Sequence, residues 1–443
     1  MNFFFLLVLF CCGNVKNGRA FGPVFQTSFR RTRIVKKNAL THRIQFMNVN
    51  SLRPCTQEQA KRHLCINMSC SEAQTRNATC KVAINKDIKI TIAGGGIGGM
   101  MLALSLHAAG FQKIEIYEAA SKISEAGVGI NIQPSAVREL IELGLGDELE
   151  KKGIPTAEIQ YYHINGQKIY QEPRGKAAGY KWPQYSIHRG ELLGILYNAV
   201  CDRLGRSIIR TGSRLIECGN SDTGAWASFD INEGNGTREA ASMVYSDILI
   251  GCDGVHSNVR KALTKEGAPA WTGITMLRGV TKMKPFLSGR SMIIVGPIER
   301  EMVVYPISKE AENKDMSLVN WVALKKTEKE QMIQKETWNV EVEDLDEVIK
   351  PFEDFKYDFL DVPKMIREAE KVFQYPMIDR TPLDSWYYGN ITLLGDAAHP
   401  MIPIGANGAT QGTHTNAIFA VFLKSSCLIS LLNSNNRLPS IGF

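Results

Sequence analysis

The residues whose types and spacing best define a chemistry are three glycines and one glutamate in the first third of the sequence. The glycines follow the pattern G-x-G-x-x-G and are Gly94, Gly96 and Gly99. They separate a strand-like run from an apolar helical run, so they predict a tight turn whose helix N-terminus offers N–H groups to a pyrophosphate. The next strand-like run ends in Glu118, where a carboxylate can accept hydrogen bonds from an unphosphorylated ribose. The stretch therefore predicts a site for FAD or NAD rather than NADP.

A second stretch, residues 247–263, places an apolar strand before Asp253 and Gly254. Asp253 at a strand end can bind a ribose or a phosphate-linked water, while Gly254 allows the chain to turn. The same sequence also fits an Asp-Gly turn in which Ser257 caps the following helix.

Arg189 has two interpretations as well. It lies just before the first turn of a predicted helix, where it can reach a phosphate or ring edge. It can equally be a solvated or salt-bridged arginine.

A third stretch, residues 375–412, combines a strand that ends at Gly395 and Asp396 with a glycine-rich segment before a predicted helix. Asp396 can hydrogen-bond a ribityl-type chain of hydroxyl groups. The glycine-rich segment contains Gly405, Asn407 and Gly408. The N-terminus of the helix that follows can stabilise negative charge on a carbonyl of a planar ring. His399 is flanked by proline, and we expect it to be structural rather than a base.

The net charge of +7 is unevenly distributed along the sequence. Residues 1–86 carry 14 Lys and Arg but two acidic residues, which leaves 38 basic and 43 acidic residues for the rest of the chain. Because this larger part is mildly acidic, the charge gives no support for nucleic-acid binding. Its cysteines form no C-x-x-C pair and have no metal-ligand spacing, so no metal site is predicted.

The first 86 residues are predicted to be targeting segments. Residues 1–20 contain an apolar run too short to span a bilayer and are similar to a signal peptide. Residues 21–86 are basic and poor in acids, which is typical of a disordered transit peptide. A signal-like segment followed by Phe21 and a basic stretch resembles the bipartite plastid presequence of algae with secondary plastids. The alternatives are a secreted or endomembrane protein, or a cytoplasmic one whose start is misassigned.

Together, the three stretches resemble the group A flavoprotein monooxygenases, the family of the para-hydroxybenzoate and salicylate hydroxylases. The motifs are G-x-G-x-x-G with Glu118, GCDGVHSNVR at 251–260, and LLGDAAHPMIPIGANGA at 393–409. RGVT at 278–281, YPMIDRTPL and PIGANGATQ are most similar to the phenazine-type and salicylate-type monooxygenases. The resemblance extends from about residue 88 to residue 411.

The resemblance implies an α/β fold: a three-layer, Rossmann-like FAD-binding fold of the glutathione-reductase type with an inserted β-sheet substrate domain. The FAD-binding domain would comprise residues 87–270, with small inserted strands, and residues 375–412. The β-rich substrate domain, with a helical cover, would be residues 271–374. Residues 413–443 would form an atypical tail, because the family continues with a different helix after Gln411.

The resemblance also implies roles for individual residues. The ADP part of FAD would contact Gly94, Gly96 and Gly99, with Glu118 on its ribose. The flavin end of the cofactor would contact Arg189, Gly395, Asp396, Gly405, Asn407 and Gly408. Asp253 and Gly254 would lie near both FAD and the reductant, and the substrate side would include Asp379, Arg380 and Pro400.

The implied reaction uses NAD(P)H and O₂ to hydroxylate an aromatic or related planar small molecule through a C4a-hydroperoxyflavin. Because the cofactor carries this chemistry, no catalytic residue is assigned. Two alternatives stay open: a plastid epoxidase similar to zeaxanthin epoxidase, and a flavin-binding protein without turnover because of its altered C-terminus. We expect a monomer or homodimer with no nucleic-acid partner and no membrane span in the mature body.

Overall fold

The computed structural model describes residues 86–123, 128–231, 242–297, 300–326, 340–342, 344–403 and 406–424. The predicted targeting segments lie outside the described residues except for Lys86. Gly405 and residues 425–443 of the predicted tail lie outside them too. All described residues belong to one compact unit of the chain, Val82–Leu438.

A six-stranded sheet forms the centre of the nucleotide-binding part. Its strands are ordered β21 (Tyr387–Tyr388), β22 (Ile391–Leu393), β12 (Ile248–Gly251), β1 (Ile90–Ala93), β2 (Ile114–Tyr117) and β8 (Ile209–Arg210). Every neighbouring pair is parallel except β21–β22. The central strands are rich in isoleucine and leucine because a parallel sheet is covered on both faces. Their parallel pairing brings the carboxyl ends of β1, β12 and β22 to one edge, where such sheets bind ligands.

Helices cover one face of this sheet, and a small antiparallel sheet covers the other. The helices are α1 (Ile97–Ala109), α2 (Pro134–Glu142), α3 (Gly146–Lys152), α4 (Arg189–Leu204) and α9 (Gly408–Lys424). The antiparallel strands are β9 (Ser213–Asn220), β10 (Ala225–Ile231) and β11 (Ser242–Ser246). This layering confirms the predicted three-layer, Rossmann-like fold. Helix α9 runs across residue 412, so residues 413–424 of the predicted tail continue a helix that begins in the FAD-binding segment.

The second large sheet has eight strands. Their order is β17 (Val340–Glu341), β20 (Val372–Asp379), β13 (Ala270–Met283), β16 (Ser317–Lys326), β15 (Met302–Pro306), β14 (Ser291–Val295), β5 (Glu158–Tyr162) and β6 (Lys168–Pro173). Residues 158–173, which lie in the sequence segment assigned to FAD binding, thus extend the β-rich part. One face of the sheet packs around Trp321 beneath helices α7 (Leu345–Ile349) and α8 (Val362–Arg367).

A small sheet connects the two large ones. It consists of β3 (Gly129–Ile132), β7 (Gln184–His188) and β4 (Ile154–Thr156). The N–H of Gly129 donates to Asn320 Oδ1 over 2.6 Å, and the Gly129 carbonyl accepts from the Tyr305 hydroxyl over 3.0 Å. These bonds hold the eight-stranded sheet against the nucleotide-binding part, so its other face looks toward the predicted flavin end.

The remaining elements are short. They are the pair β18 (Lys356–Tyr357) and β19 (Leu360–Asp361), helix α5 (Asn258–Thr264) and helix α6 (Lys309–Glu312). Within the described ranges, no helix has the length and apolar character needed to cross a membrane. The same ranges hold no group of three or more His, Cys, Asp or Glu side chains arranged to bind a metal ion.

Candidate cofactor and substrate site

The glycine-rich turn after β1 leaves open space at one glycine and is tightly packed at the other two. Gly94 has φ +104°, and a Cβ there would lie 2.4 Å from the Cys252 carbonyl oxygen. A Cβ on Gly99 would lie 1.9 Å from the Gly94 carbonyl oxygen. At Gly96, the N-cap of α1, no atom lies within 4 Å of the Cβ position. Gly94 and Gly99 therefore shape the turn, while Gly96 borders an open space at a helix N-terminus that fits a pyrophosphate.

Glu118 closes this turn from the end of β2. Its Oε2 accepts a hydrogen bond from the Gly95 N–H over 2.7 Å, and its Oε1 accepts from the Ala120 N–H over 2.7 Å. The side chain is half-buried. Each carboxylate oxygen has a second lone pair, so Glu118 can still accept hydrogen bonds from ribose hydroxyls. The turn and the acid predicted from their spacing are thus brought together.

Asp253 follows β12, and its carboxylate caps helix α5. Oδ1 accepts from the Ser257 hydroxyl over 2.5 Å, and Oδ2 accepts from the N–H groups of Asn258 and Val259 over 2.7 and 3.1 Å. Burial raises the pKa of Asp253, while these hydrogen bonds oppose the rise. Gly254 has φ +77° and open space at its Cβ position. The capped Asp-Gly turn is present, with Ser257 Oγ accepting from the Arg260 N–H over 2.9 Å, and the contact of Asp253 with FAD stays a prediction.

Asp396 lies beyond β22, at the same edge of the six-stranded sheet. Gly395 before it has φ +59°, and Ala397 after it is fully buried. The Asp396 side chain is reachable by solvent, yet the surrounding protein raises the pKa of this carboxyl. The charges of His399 and Arg189 act in the opposite direction on the same pKa. Asp396 is thus an exposed carboxylate at the edge of the sheet, with its pKa raised by the protein around it, and it is placed to accept hydrogen bonds from a polyhydroxyl chain.

Arg189 is the first residue of α4, and its N–H donates to the Val128 carbonyl over 2.9 Å. The half-buried side chain affects the pKa of two groups, Asp396 and Tyr375. Burial raises the pKa of Tyr375, and the charges of Arg278 and Arg189 lower it. Tyr375 therefore lies within electrostatic reach of both Arg189 and Arg278.

Helix α9 begins directly after the glycine-rich segment, as the sequence predicts. Gly408 is its first residue, and the Asn407 carbonyl accepts from the Gln411 N–H over 2.9 Å, as an N-cap carbonyl does. Both residues are half-buried, as is Pro400. This helix end can therefore direct free N–H groups at a negatively charged ring. Gly405 lies outside the described residues.

Arg380, predicted on the substrate side, is engaged in structural contacts. Its side chain is 6% exposed and lies near Glu266. Its Nε donates to the Val255 carbonyl over 2.6 Å, and its Nη1 donates to the Gly267 carbonyl over 3.1 Å. Asp379 Oδ1 accepts from the Arg380 N–H over 2.8 Å. The pair thus fastens the end of β20 to the segments on either side of α5.

Sequence reasoning missed Arg260, the last residue of GCDGVHSNVR. Its side chain is fully buried and pairs with Glu266 over 2.8 Å. Nη2 donates to the Thr381 carbonyl over 2.6 Å, and Nη1 donates to the carbonyls of Ala397 and Ala398 over 3.3 Å each. Arg260 therefore fixes the backbone directly after Asp396. The sequence signal was an arginine on the apolar side of a short helix.

Sequence reasoning also left Arg278 without a role. On the open face of the eight-stranded sheet, the strand register places Arg278 between Val322 and Phe373. On this face Met276, Val280 and Val303 are half-buried and apolar, while Tyr305 and Asn320 are buried and polar. Arg278 Nη2 donates to the Gly129 carbonyl over 2.8 Å, and its buried Nε has no hydrogen-bond partner in the described part of the chain. The face therefore combines an apolar surface with a cationic donor.

The glycine-rich turn at the N-terminus of α1, with Glu118 at the end of the next strand, is the arrangement of a dinucleotide-binding protein. The profile of the FAD binding domain family matches residues 87–415. The chain belongs to this family and, within it, to the FAD-dependent aromatic monooxygenases, with FAD as cofactor and NAD(P)H as reductant.

The relatives support this assignment. The chain is 40% identical to phenazine 1,6-dicarboxylic acid hydroxylase PhzS of Lysobacter antibioticus, covering 73% of this chain and 79% of that one. It is 30% identical to 3-hydroxybenzoate 6-hydroxylase of Polaromonas naphthalenivorans, covering 73% and 76%. CtdE in complex with FAD and substrate has the same fold, with a TM-score of 0.63, 20% identity and coverage of 78% and 83%. Klebsiella pneumoniae HpxO with FAD and uric acid also has this fold, with a TM-score of 0.62 and 20% identity. The match covers 78% of this chain and 82% of that one.

Proposed function

We propose that this monooxygenase hydroxylates a planar aromatic carboxylic acid, held between the flavin and the open face of the eight-stranded sheet. The observation that carries the proposal is Arg278. It lies beside the apolar Val322 and Phe373 and close to Tyr305, and its Nε keeps a buried N–H donor without a partner in the described residues. An apolar face suits an aromatic ring, and a guanidinium suits a carboxylate.

The names of the relatives agree with this substrate class. They act on phenazine 1,6-dicarboxylic acid, 3-hydroxybenzoate and 6-hydroxynicotinate, each of which is an aromatic acid. The position of Arg278 supports the same class independently, since its guanidinium lies on the same sheet face as Tyr375, and the charges of Arg278 and Arg189 both lower the pKa of Tyr375.

The residues of this chain would bind and orient FAD rather than carry out chemistry themselves. The α1 N-terminus at Gly96 would receive the pyrophosphate, Glu118 the adenosine ribose and Asp396 the ribityl chain. The α9 N-terminus, at Asn407 and Gly408, would stabilise negative charge on the flavin ring. Bound FAD supplies the transfer of reducing equivalents from NAD(P)H to O₂ and the delivery of one oxygen atom. The protein contributes ring orientation and exclusion of water.

The test compares substrates with and without a carboxylate in Arg278→Met. We expect KM for aromatic acids to rise roughly ten- to hundredfold, the size of a lost hydrogen bond to a charged group. KM for the matching neutral amides should change little. Lys282→Met is the control, because it removes an exposed cation from the same strand. Equal effects on acids and amides would contradict the anchoring role.

Residues 1–86 are proposed to deliver the enzyme to a plastid through a bipartite presequence. The support is the signal-like run followed by Phe21 and a basic segment. A fluorescent protein fused to residues 1–86 and expressed in an alga with a secondary plastid should accumulate in that plastid. Secretion, retention in the endomembrane system or cytoplasmic fluorescence would contradict the proposal.

The mature protein is proposed to be a monomer or a homodimer. Light scattering coupled to size-exclusion chromatography measures the mass directly, and a larger assembly would contradict the proposal.

A further inference from the structure

We propose that Thr415 and Asn416, on one turn of α9, are positioning residues for FAD. Asn416 holds the glycine-rich turn at the N-terminus of α1, and Thr415 holds the segment that contains Asp396. The inference rests on FAD binding and is independent of the substrate.

Asn416 connects α9 to the phosphate-side helix. Its side chain is fully buried, and its Nδ2 donates to the Gly98 carbonyl over 2.8 Å. Gly98 lies in the first turn of α1, two residues after the open space at Gly96. Asn416 Oδ1 is buried without a hydrogen-bond partner in the described part of the chain. A buried amide costs free energy of desolvation, so packing alone would favour an apolar residue between these helices.

Thr415 connects α9 to the segment that contains Asp396. Its hydroxyl donates to the Gln411 carbonyl over 2.8 Å and lies 2.8 Å from His399 Nε2. The His399–Thr415 hydrogen bond therefore ties the imidazole ring to α9, with the tautomer of His399 deciding which atom donates. Burial lowers the pKa of His399, which favours the neutral ring.

His399 also contacts the turn that contains Asp396. The His399 N–H donates to the Gly395 carbonyl over 2.9 Å, which closes the turn around Asp396. The ring also packs on Trp386 with a centroid distance of 4.9 Å. Adjacent residues of one rigid helix thus reach Gly98 and His399, which are about 300 positions apart in sequence. Their fixed separation sets the distance between the open space at Gly96 and the carboxylate of Asp396.

The experiment compares Thr415→Val with Thr415→Ser, and adds Asn416→Leu as an independent variant. Full-length apoprotein is titrated with FAD, and the dissociation constant is measured from the quenching of flavin fluorescence. Thr415→Val and Asn416→Leu should each weaken FAD binding by roughly three- to tenfold, the effect of one lost hydrogen bond. Thr415→Ser keeps the hydroxyl and should bind FAD as the wild type does.

A second readout separates positioning from general stability. The thermal midpoint of apo Thr415→Val should stay close to that of the wild type, while the circular dichroism of its bound flavin should change. Wild-type FAD affinity and flavin dichroism in both Thr415→Val and Asn416→Leu would overturn the proposal. So would equal weakening in Thr415→Ser and Thr415→Val. If Asn416→Leu fails to fold, the Thr415 pair decides the outcome. Neither readout requires an aromatic substrate, so failure here is distinct from failure of the proposed function.

Discussion

Arg260 and Thr381 are joined by a 2.6 Å hydrogen bond from the guanidinium Nη2 to the backbone carbonyl, in a part of the protein where Arg260 is completely buried. The same guanidinium binds the carbonyls of Ala397 and Ala398 and pairs with Glu266. Arg260, from the motif at residues 251–260, thereby fixes the backbone of the motif at residues 393–409, next to Asp396. The cofactor site is therefore stabilised by contacts that lie behind it as well as by the residues that face it.

Arg260→Met should destabilise the protein by about 3 kcal/mol, because it leaves Glu266 and three backbone carbonyls without their donor. Urea denaturation of the apoprotein measures the loss. Glu266 keeps its ion pair with Arg380 over 3.6 Å, so adding Glu266→Gln should recover little of the loss. A single variant as stable as the wild type would show that the buried guanidinium contributes little.

Gly96→Val should leave the fold intact and abolish FAD retention. Its Cβ position is free of protein atoms within 4 Å, so the side chain would occupy only the open space. Gly99→Ala serves as the contrast. A Cβ there would lie 1.9 Å from the Gly94 carbonyl oxygen, so this variant should lose thermal stability as well. Flavin content and the apoprotein melting temperature distinguish the two. Normal flavin content in Gly96→Val would refute the assignment of this space to the pyrophosphate.

Asp396→Asn should weaken FAD binding while stabilising the apoprotein at neutral pH. Burial raises the folded-state pKa of Asp396 above its unfolded value, so ionisation costs stability as the pH rises through the folded pKa. Below the unfolded pKa the carboxyl is neutral in both states, and the variant should have no advantage. Thermal melts of both apoproteins from acidic to neutral pH measure this difference. A variant that is less stable than the wild type at neutral pH would contradict the expected sign.

Cys218 should be unreactive toward thiol reagents in the native protein, because burial raises the pKa of its thiol to about 12. Mass spectrometry after brief alkylation at pH 8 should show no modification of Cys218 until the protein is denatured. Rapid labelling in the native state would indicate that the β9–β11 layer opens readily.

Much of the site follows from local sequence, because each motif spans a strand, a turn and a helix that are adjacent in the chain. Gly94, Gly99 and Glu118 have the geometry that their spacing predicts, and α9 follows the glycine-rich segment as expected. The rest depends on distant contacts. Arg260 bonds carbonyls more than 120 positions away, and Asn416 bonds Gly98 across 318 positions. The interpretation of Arg278 depends on the strand register, which places it between Val322 and Phe373.

The most direct test of the account measures oxygen transfer by the purified, FAD-loaded protein. The enzyme is given NAD(P)H, a panel of planar aromatic acids with their neutral amides, and O₂ labelled with oxygen-18. The account predicts that an aromatic acid accelerates NAD(P)H oxidation and that its product carries one labelled oxygen atom. It would be contradicted if bound flavin turned over NAD(P)H to hydrogen peroxide alone with every acid, or if only the neutral compounds were hydroxylated.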